Sequence, residues 1–224
     1  MSAVPRWADR SQAGRALAAA VARRFAQHPP AADVVVLALP RGGVPVGAPV
    51  AAALRAPLDV VVVRKLGVPE QPELAMGAVA AVGGASAAVE LVRHAVVADH
   101  VAPAEFAAVR EREVAVLRER EEHWRAGRAP LAVAGRVVVI VDDGLATGAT
   151  MRAAVAAVRA QDPASVVVAV PVGAPEAVRA VSCVADDVVC LAAPVVLGAV
   201  GQAYVDFAPT SDDAVRGLLS LVRR

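Results

Sequence analysis

Residues 137–151, VVVIVDDGLATGATM, constrain this chain more than any other stretch: an apolar run stops at two aspartates, then a turn rich in glycine and threonine leads into a helix. Val137 to Val141 is short and β-branched, which predicts a buried strand. Asp142 and Asp143 then lie where that strand leaves the sheet. Gly144 to Thr150 form a loop, and the helix is predicted to start near Met151. A helix N-terminus preceded by glycines presents free backbone N–H groups to an anion, and Thr147 and Thr150 add hydroxyl donors. Acids beside such a cradle suit a ligand that carries both hydroxyls and a phosphate.

Two other acid-and-loop patterns fit less well. A Walker A loop needs G-x-x-x-x-G-K-[ST], its lysine reaching the β/γ-phosphates. Here Gly144 and Gly148 are too close together, and Ala149 stands where the lysine would follow. A response-regulator receiver would place its acidic strand near the N-terminus and a lysine further along, and no lysine follows Asp142. The plain alternative is a strand–turn–helix whose aspartates are merely solvated. The joint occurrence of two acids, two glycines and two threonines disfavours it.

The rest of the chain repeats the strand–helix rhythm. A helix is predicted around Ser11 to Phe25, a buried strand over Val34 to Leu39, and a helix from Val44 or Pro45 in which Pro49 is awkward. Asp59 to Arg64 reads as the next strand, followed by a loop from Lys65 to about Pro72. Leu74 to Val82 and Ala87 to Val92 read as a strand pair about Gly83-Gly84. Pro103 to Ala126, dense in Arg and Glu, predicts a solvated amphipathic helix with ion pairs on its polar face. Beyond the connector Gly127 to Gly135 and the central strand, the pattern predicts helix Met151–Ala160, strand Ser165–Val170, a helix around Pro175 to Val184, and strand Asp187–Leu191. This alternation argues for an α/β fold with a mainly parallel central sheet flanked by helices. In such sheets ligands bind beyond the carboxyl ends of the strands at the topological switch point. The loops 40–43, 64–73 and 142–150 all follow predicted strands and are expected to converge there.

Composition excludes several classes. At 224 residues one domain is expected. Hydrophobic residues make up 57%, yet no uninterrupted apolar run reaches membrane-spanning length, so no membrane association is expected. The net charge of +1 gives no footprint for nucleic acid. The N-terminus MSAVPRWADR has no apolar signal core, so a cytoplasmic location is expected. Cys183 and Cys190 lack a metal-type spacing and read as small apolar residues. The cations are nearly all arginine, and Lys65 is the only lysine. Either a compact ammonium is needed there or its position is a surface accident.

The acid-and-cradle segment resembles the phosphoribosyl diphosphate (PRPP) motif of type I phosphoribosyltransferases. LALPRGGVPV is similar to the pyrophosphate loop of that family, and VVVRKLGVPEQPELAMGAV to its flexible-loop region. VVLGAVGQAYVDFAPTSDDAV is similar to the closing segment of a branch whose acceptor is unassigned. The resemblance runs from Trp7 to about Val215. It implies a Rossmann-like transferase domain over residues 1–224, with a small hood from about 1–12 and 194–215. It further implies that Asp142 and Asp143 hold the ribose hydroxyls, and that Gly144, Leu145, Ala146, Thr147, Gly148, Ala149 and Thr150 grip the 5-phosphate. Arg41, Gly42 and Gly43 would bind diphosphate; Arg64 and Lys65 would offset the leaving charge, and Glu73 would orient the acceptor or take its proton. Tyr204 and Phe207 are candidates for the acceptor pocket, with Trp7 in the same hood. Where the branch carries an aromatic residue this chain has Ala203.

The implied reaction is transfer of the 5-phosphoribosyl group from PRPP to a nitrogenous acceptor, a nucleobase or related amine, with release of diphosphate, in nucleotide salvage or a related pathway. Mg2+ would be bound with PRPP, held by its oxygens and by water and not by a protein metal site. The partners implied are PRPP and a small-molecule acceptor; a homo-oligomer is admissible. Ala146 stands where the 6-oxopurine branch has an aspartate that acts on the purine ring nitrogen, which argues against hypoxanthine–guanine chemistry by that route. Two alternatives remain open: a PRPP- or nucleotide-binding regulator without turnover, and a phosphorylase or hydrolase acting on a phosphoribosyl compound.

Overall fold

The computed structural model describes residues 6–28, 30–82, 89–93 and 95–221. The chain begins with α1 (Arg10–Gln27), β1 (Val34–Ala38), α2 (Gly43–Leu54) and β2 (Leu58–Val60). A hairpin of β3 (Val62–Val68) and β4 (Gln71–Ala81) follows, then β5 (Val89–Arg93), the short α3 (Ala95–Ala98) and the long α4 (Pro103–Arg125). The second half runs β6 (Val137–Val141), α5 (Ala149–Arg159), β7 (Ser165–Val172), α6 (Pro175–Ser182), β8 (Asp187–Ala192), a 3₁₀ turn (Val200–Ala203) and α7 (Asp212–Leu221). Among the described residues no helix is long and apolar enough to cross a membrane.

The central sheet has the order β2-β1-β6-β7-β8 and every pair in it is parallel. This is the mainly parallel, helix-flanked sheet expected from the alternation. Its strands are valine-rich because both faces are covered. Val36, Ala38, Val137, Val139 and Val141 face the layer containing α1, α2, α4 and α7, while Val35, Leu37, Val138 and Ile140 face α5 and α6. Successive side chains point to opposite faces, so each strand feeds both cores. Burying one such valine contributes roughly 1.5–3 kcal/mol.

Two expectations are corrected. The run Asp59 to Arg64 is not one strand: β2 ends at Val60, and β3 starts at Val62 in a second, antiparallel sheet of order β3-β4-β5. The predicted loop from Lys65 to Pro72 is mostly strand, turning only at Pro69-Glu70. Polar residues there signalled a loop, but they sit on a strand that exposes one face. The strand pair predicted beyond Leu74 is present as β4 and β5, and its turn at Gly83-Gly84 lies outside the described residues. The helix containing Pro49 starts early, at Gly43, and encloses the proline. Helices α3 and α7 carry no expectation from the sequence pattern.

Candidate active site

The order β2-β1-β6-β7-β8 reverses direction between β1 and β6, which makes that gap the switch point. The register pairs Val34 with Val137 and Ala38 with Val141, so both strands end at the same level. The loops that follow must therefore emerge side by side. Leu39 N–H donates to Val141 O at 2.9 Å, tying the two exits together. A Cβ on Gly43 would lie 2.7 Å from Val141 O and 3.1 Å from the Cα of Asp142, and one on Gly42 would collide with the Asp143 carboxylate. Glycine at 42 and 43 is what lets the loop after β1 lie against the acids after β6. The Pro40–Arg41 peptide in this loop is cis.

Asp142 and Asp143 are half-buried neighbours. Burial, and then the adjacent Asp143 charge, push the Asp142 carboxyl well above the ordinary range. Asp142 Oδ1 accepts the Asp143 N–H at 2.8 Å. Burial also raises the Asp143 carboxyl, and Arg10 opposes that rise. Arg10 donates from Nε to Asp143 Oδ2 at 2.8 Å, and from Nη1 to Ala208 O at 2.8 Å. The Tyr204 hydroxyl donates to Asp143 O at 2.6 Å. Burial together with the nearby Asp143 charge raises the Tyr204 hydroxyl, so it stays a donor.

These contacts bring both ends of the chain to the acids. Trp7 N–H donates to Ala203 O at 2.9 Å, and Val205 N–H donates back to Trp7 O at 2.8 Å. Tyr204 stacks on Phe207 with centroids 5.1 Å apart, and Trp7 lies 5.9 Å from Tyr204. The Arg10 guanidinium sits 3.8 Å from the Phe207 ring centroid, within cation–π range. Ala203 is fully buried. Arg10 escaped the sequence reading. A signal existed: it opens α1, where a cation opposes the helix dipole, and that cost asks for a compensating acid elsewhere.

The loop after the acids divides into two parts. Leu145 is buried; its N–H donates to Val172 O at 2.9 Å and its carbonyl accepts from Ala174 at 2.8 Å. It anchors the loop to β7, and its amide is not free for a ligand. Gly144 packs on Val200. From Ala146 the loop turns outward, with Gly148 at φ 73° as the N-cap of α5. Arg152 N–H closes the first turn onto Gly148 O, and Ala149 N–H donates to Thr147 Oγ1 at 3.4 Å; the amides of a first helical turn have no partner within the helix. Ala146, Thr147, Ala149 and Thr150 are exposed.

The remaining candidates separate. Arg64 and Lys65 are consecutive on β3 and point to opposite faces. Arg64 is taken by Glu113 of α4, with Nη2 to Oε2 at 2.6 Å. Lys65 is exposed and donates to the Glu73 carbonyl, with the Glu73 carboxylate 3.6 Å away. Lys65 shares a cavity of about 260 Å³ with Val63, Gly77, Thr150 and Arg152, so β3 and the start of α5 do converge. Arg41 lines a different, wider cavity of about 520 Å³ beside Arg120, His123 and Asp212, with Asp212 4.0 Å from its guanidinium.

A parallel sheet with an acid pair at its switch point and a glycine loop on each side defines a class, and sequence relationships agree with it. The phosphoribosyl transferase domain model matches residues 6–204, and the chain belongs to that family. Over 216 residues, 96% of this chain, it is 48% identical to "Putative phosphoribosyl transferase MT0597" of Mycobacterium tuberculosis CDC 1551 and equally to Rv0571c of strain H37Rv. The match covers 47% of each, so the chain spans about half the length of these relatives. The crystal structure of TT1426 from Thermus thermophilus superposes with a TM-score of 0.81 at 42% identity, covering 98% of this chain and 100% of that one.

Proposed function

We propose that the chain transfers a 5-phosphoribosyl group from PRPP to a nitrogenous acceptor. One observation carries this reading: a half-buried carboxylate pair lies between two glycine-supported helix starts, α2 on one side and α5 on the other. The start of α5 suits an anion; at α2 the Gly43 and Val44 N–H groups are already bonded to Leu39 O and Arg41 O, so the loop's cation, Arg41, is what suits an anion there, and the acids between them suit hydroxyls. A sugar with a phosphate at one end and a diphosphate at the other has that order of groups.

In this reading the amides of 146–150 and the Thr147 and Thr150 hydroxyls take the 5-phosphate. Asp142 and Asp143 accept hydrogen bonds from the ribose 2- and 3-hydroxyls. Arg41 and the Gly42 backbone receive the diphosphate, while Gly43, whose N–H is bonded to Leu39 O, lets the loop lie against the acids. The acceptor nitrogen's lone pair forms the bond to the anomeric carbon as the bond to diphosphate oxygen breaks; that electron pair leaves with diphosphate, and the nitrogen's proton passes to Glu73 or to water. Positive charge grows on the ring meanwhile, and fixed carboxylates beneath it lower the barrier electrostatically. Lys65, on the hairpin that meets Thr150, offsets the charge of the leaving group; Arg64 steadies the hairpin through Glu113. Phe207 supplies an acceptor wall, and Tyr204 supports it from behind.

Magnesium would arrive on the oxygens of PRPP with water completing its shell, and the two acids would take the ribose hydroxyls and not the cation. Magnesium bound that way would neutralise diphosphate charge. Ala146 offers no proton-exchanging group, which argues against the 6-oxopurine route. The alternative reading, a sensor that binds PRPP without turnover, would use the same donor contacts. Diphosphate release, measured with PRPP, magnesium and a panel of bases and amines, separates the two. Turnover with any acceptor supports the transferase; PRPP binding without release across the panel supports the sensor; absence of PRPP binding contradicts both.

A further inference from the structure

Arg10 has a place in the site that exceeds a salt bridge. As the first residue of α1 it is electrostatically misplaced, because a helix N-terminus disfavours a cation. Its side chain is only 12% exposed, and a buried guanidinium without partners would be costly. The fold compensates through a fork: Nε on Asp143 Oδ2, Nη1 on Ala208 O, and the guanidinium face 3.8 Å from the centre of Phe207. One planar group thus touches the second acid of the donor site and the segment proposed as the acceptor wall. A lysine has no fork with which to do this.

We propose that Arg10 is a positioning residue: it holds Asp143 ionised and oriented for the ribose, and through the same guanidinium it fixes the Phe207–Ala208 segment over the donor site. This rests on the PRPP reading above. The charged and titratable groups facing Asp143 are Asp142, whose charge opposes ionisation, Arg10, which favours it, and Tyr204, whose hydroxyl serves the Asp143 carbonyl. Arg10 is the single cation in that set. Its loss leaves two adjacent carboxyls to share a half-buried site with only the Asp143 backbone N–H to offset them, so Asp143 keeps its proton to higher pH. A protonated Asp143 accepts ribose hydrogen bonds less well, and the defect must shrink as rising pH removes the proton.

The test is PRPP–magnesium affinity by calorimetry from pH 5.5 to 8.5 for wild type, Arg10→Gln and Arg10→Lys. Each variant is expressed as a ratio to wild type, so that titration of the ligand's own phosphates cancels. Arg10→Gln is expected to bind about tenfold more weakly at pH 6 and within about threefold of wild type at pH 8.5, since one pH unit of displaced titration is a factor of ten. Arg10→Lys restores the charge and flattens the pH dependence. Direct observation of the Asp143 carboxyl by carbon NMR in the ligand-free protein gives a second readout, with its titration displaced upward in Arg10→Gln. A ratio that is constant across pH, or tighter binding by Arg10→Gln, overturns the proposal while leaving the donor site standing. Absence of PRPP binding by wild type at every pH overturns the donor reading and this proposal together.

Discussion

At the scale of single residues, the acid pair combines its proposed role with a cost to stability. Both carboxyls titrate above the ordinary aspartate range, chiefly because they are buried. A folded-state value above the unfolded one means that the native chain holds the proton more tightly. The stability these groups permit is therefore greatest at low pH and declines as pH rises from the unfolded value through the folded one. Replacing Asp142 and Asp143 by asparagine removes that penalty. The double variant is expected to stay folded, with a melting temperature relative to wild type that increases with pH. Its PRPP-dependent diphosphate release is expected to fall by about a hundredfold or more. Unchanged kinetics in a folded double variant would remove the acids from the site. Gly43→Ala tests the neighbouring contact: its Cβ would press on Val141 O, and a loss of about 1–3 kcal/mol is expected by denaturant titration. The acids and both glycine loops were legible because they stand in the sequence as a contiguous pattern. Arg10 was not, because its partner lies 133 residues away and nothing local links them.

At the scale of elements, the sheet strands and their helices were legible wherever periodicity was one-sided or apolar. Val137–Val141 is buried along its whole length and appears as read. The hairpin after Val62 was harder. Arg64 and Lys65 look like loop residues, yet strand geometry turns one toward Glu113 of α4 and leaves the other exposed near Thr150. An ion pair between a strand and a helix far along the chain has no sequence signature. The separation of the two side chains predicts distinct phenotypes. Lys65→Ala is expected to lower turnover by about tenfold with a smaller effect on PRPP affinity, as a group acting on leaving-group charge should. Arg64→Met is expected to act mainly on stability, since it leaves the Glu113 carboxylate with only the longer Arg112 contact at 3.4 Å; about 1–3 kcal/mol by thermal or chemical unfolding is the expected cost. Equal effects of the two substitutions on turnover and on stability would contradict the division of the strand into two working faces.

At the scale of the molecule, the strand order was beyond the reach of pattern reading. Alternating strands and helices announce a parallel sheet, but not that β1 lies beside β6, nor that β3 to β5 leave for a sheet of their own. Local residues fix elements, while order depends on which faces fit after collapse. One device that ties α4 to the edge strand β2 is a buried charge cluster: Arg125 at the end of α4 donates to Asp59 Oδ1 at 3.0 Å, to Glu121 Oε1 at 2.9 Å and to Val60 O at 3.1 Å. Glu121 Oε2 is buried with no hydrogen-bond partner among the described residues, and burial raises the Glu121 carboxyl. Because the folded value is the higher one, Glu121 lowers stability progressively as pH rises from about 4.5, its ordinary value, through the raised one. Glu121→Gln keeps an oxygen for Arg125 and cannot ionise. Its melting temperature is expected to match wild type near pH 4.5 and exceed it near pH 8. A variant less stable at pH 8 than wild type would show that the ionised carboxylate is needed.

The central claim is that the β1–β6 switch point receives PRPP in one orientation. A crystal structure of the chain with PRPP and magnesium tests it most directly. The 5-phosphate is expected against the amides of 146–150, the ribose hydroxyls on Asp142 and Asp143, and the diphosphate beside Arg41, Gly42 and Gly43. PRPP seated instead in the cavity of Arg120 and His123, with Asp142 and Asp143 untouched, would contradict it.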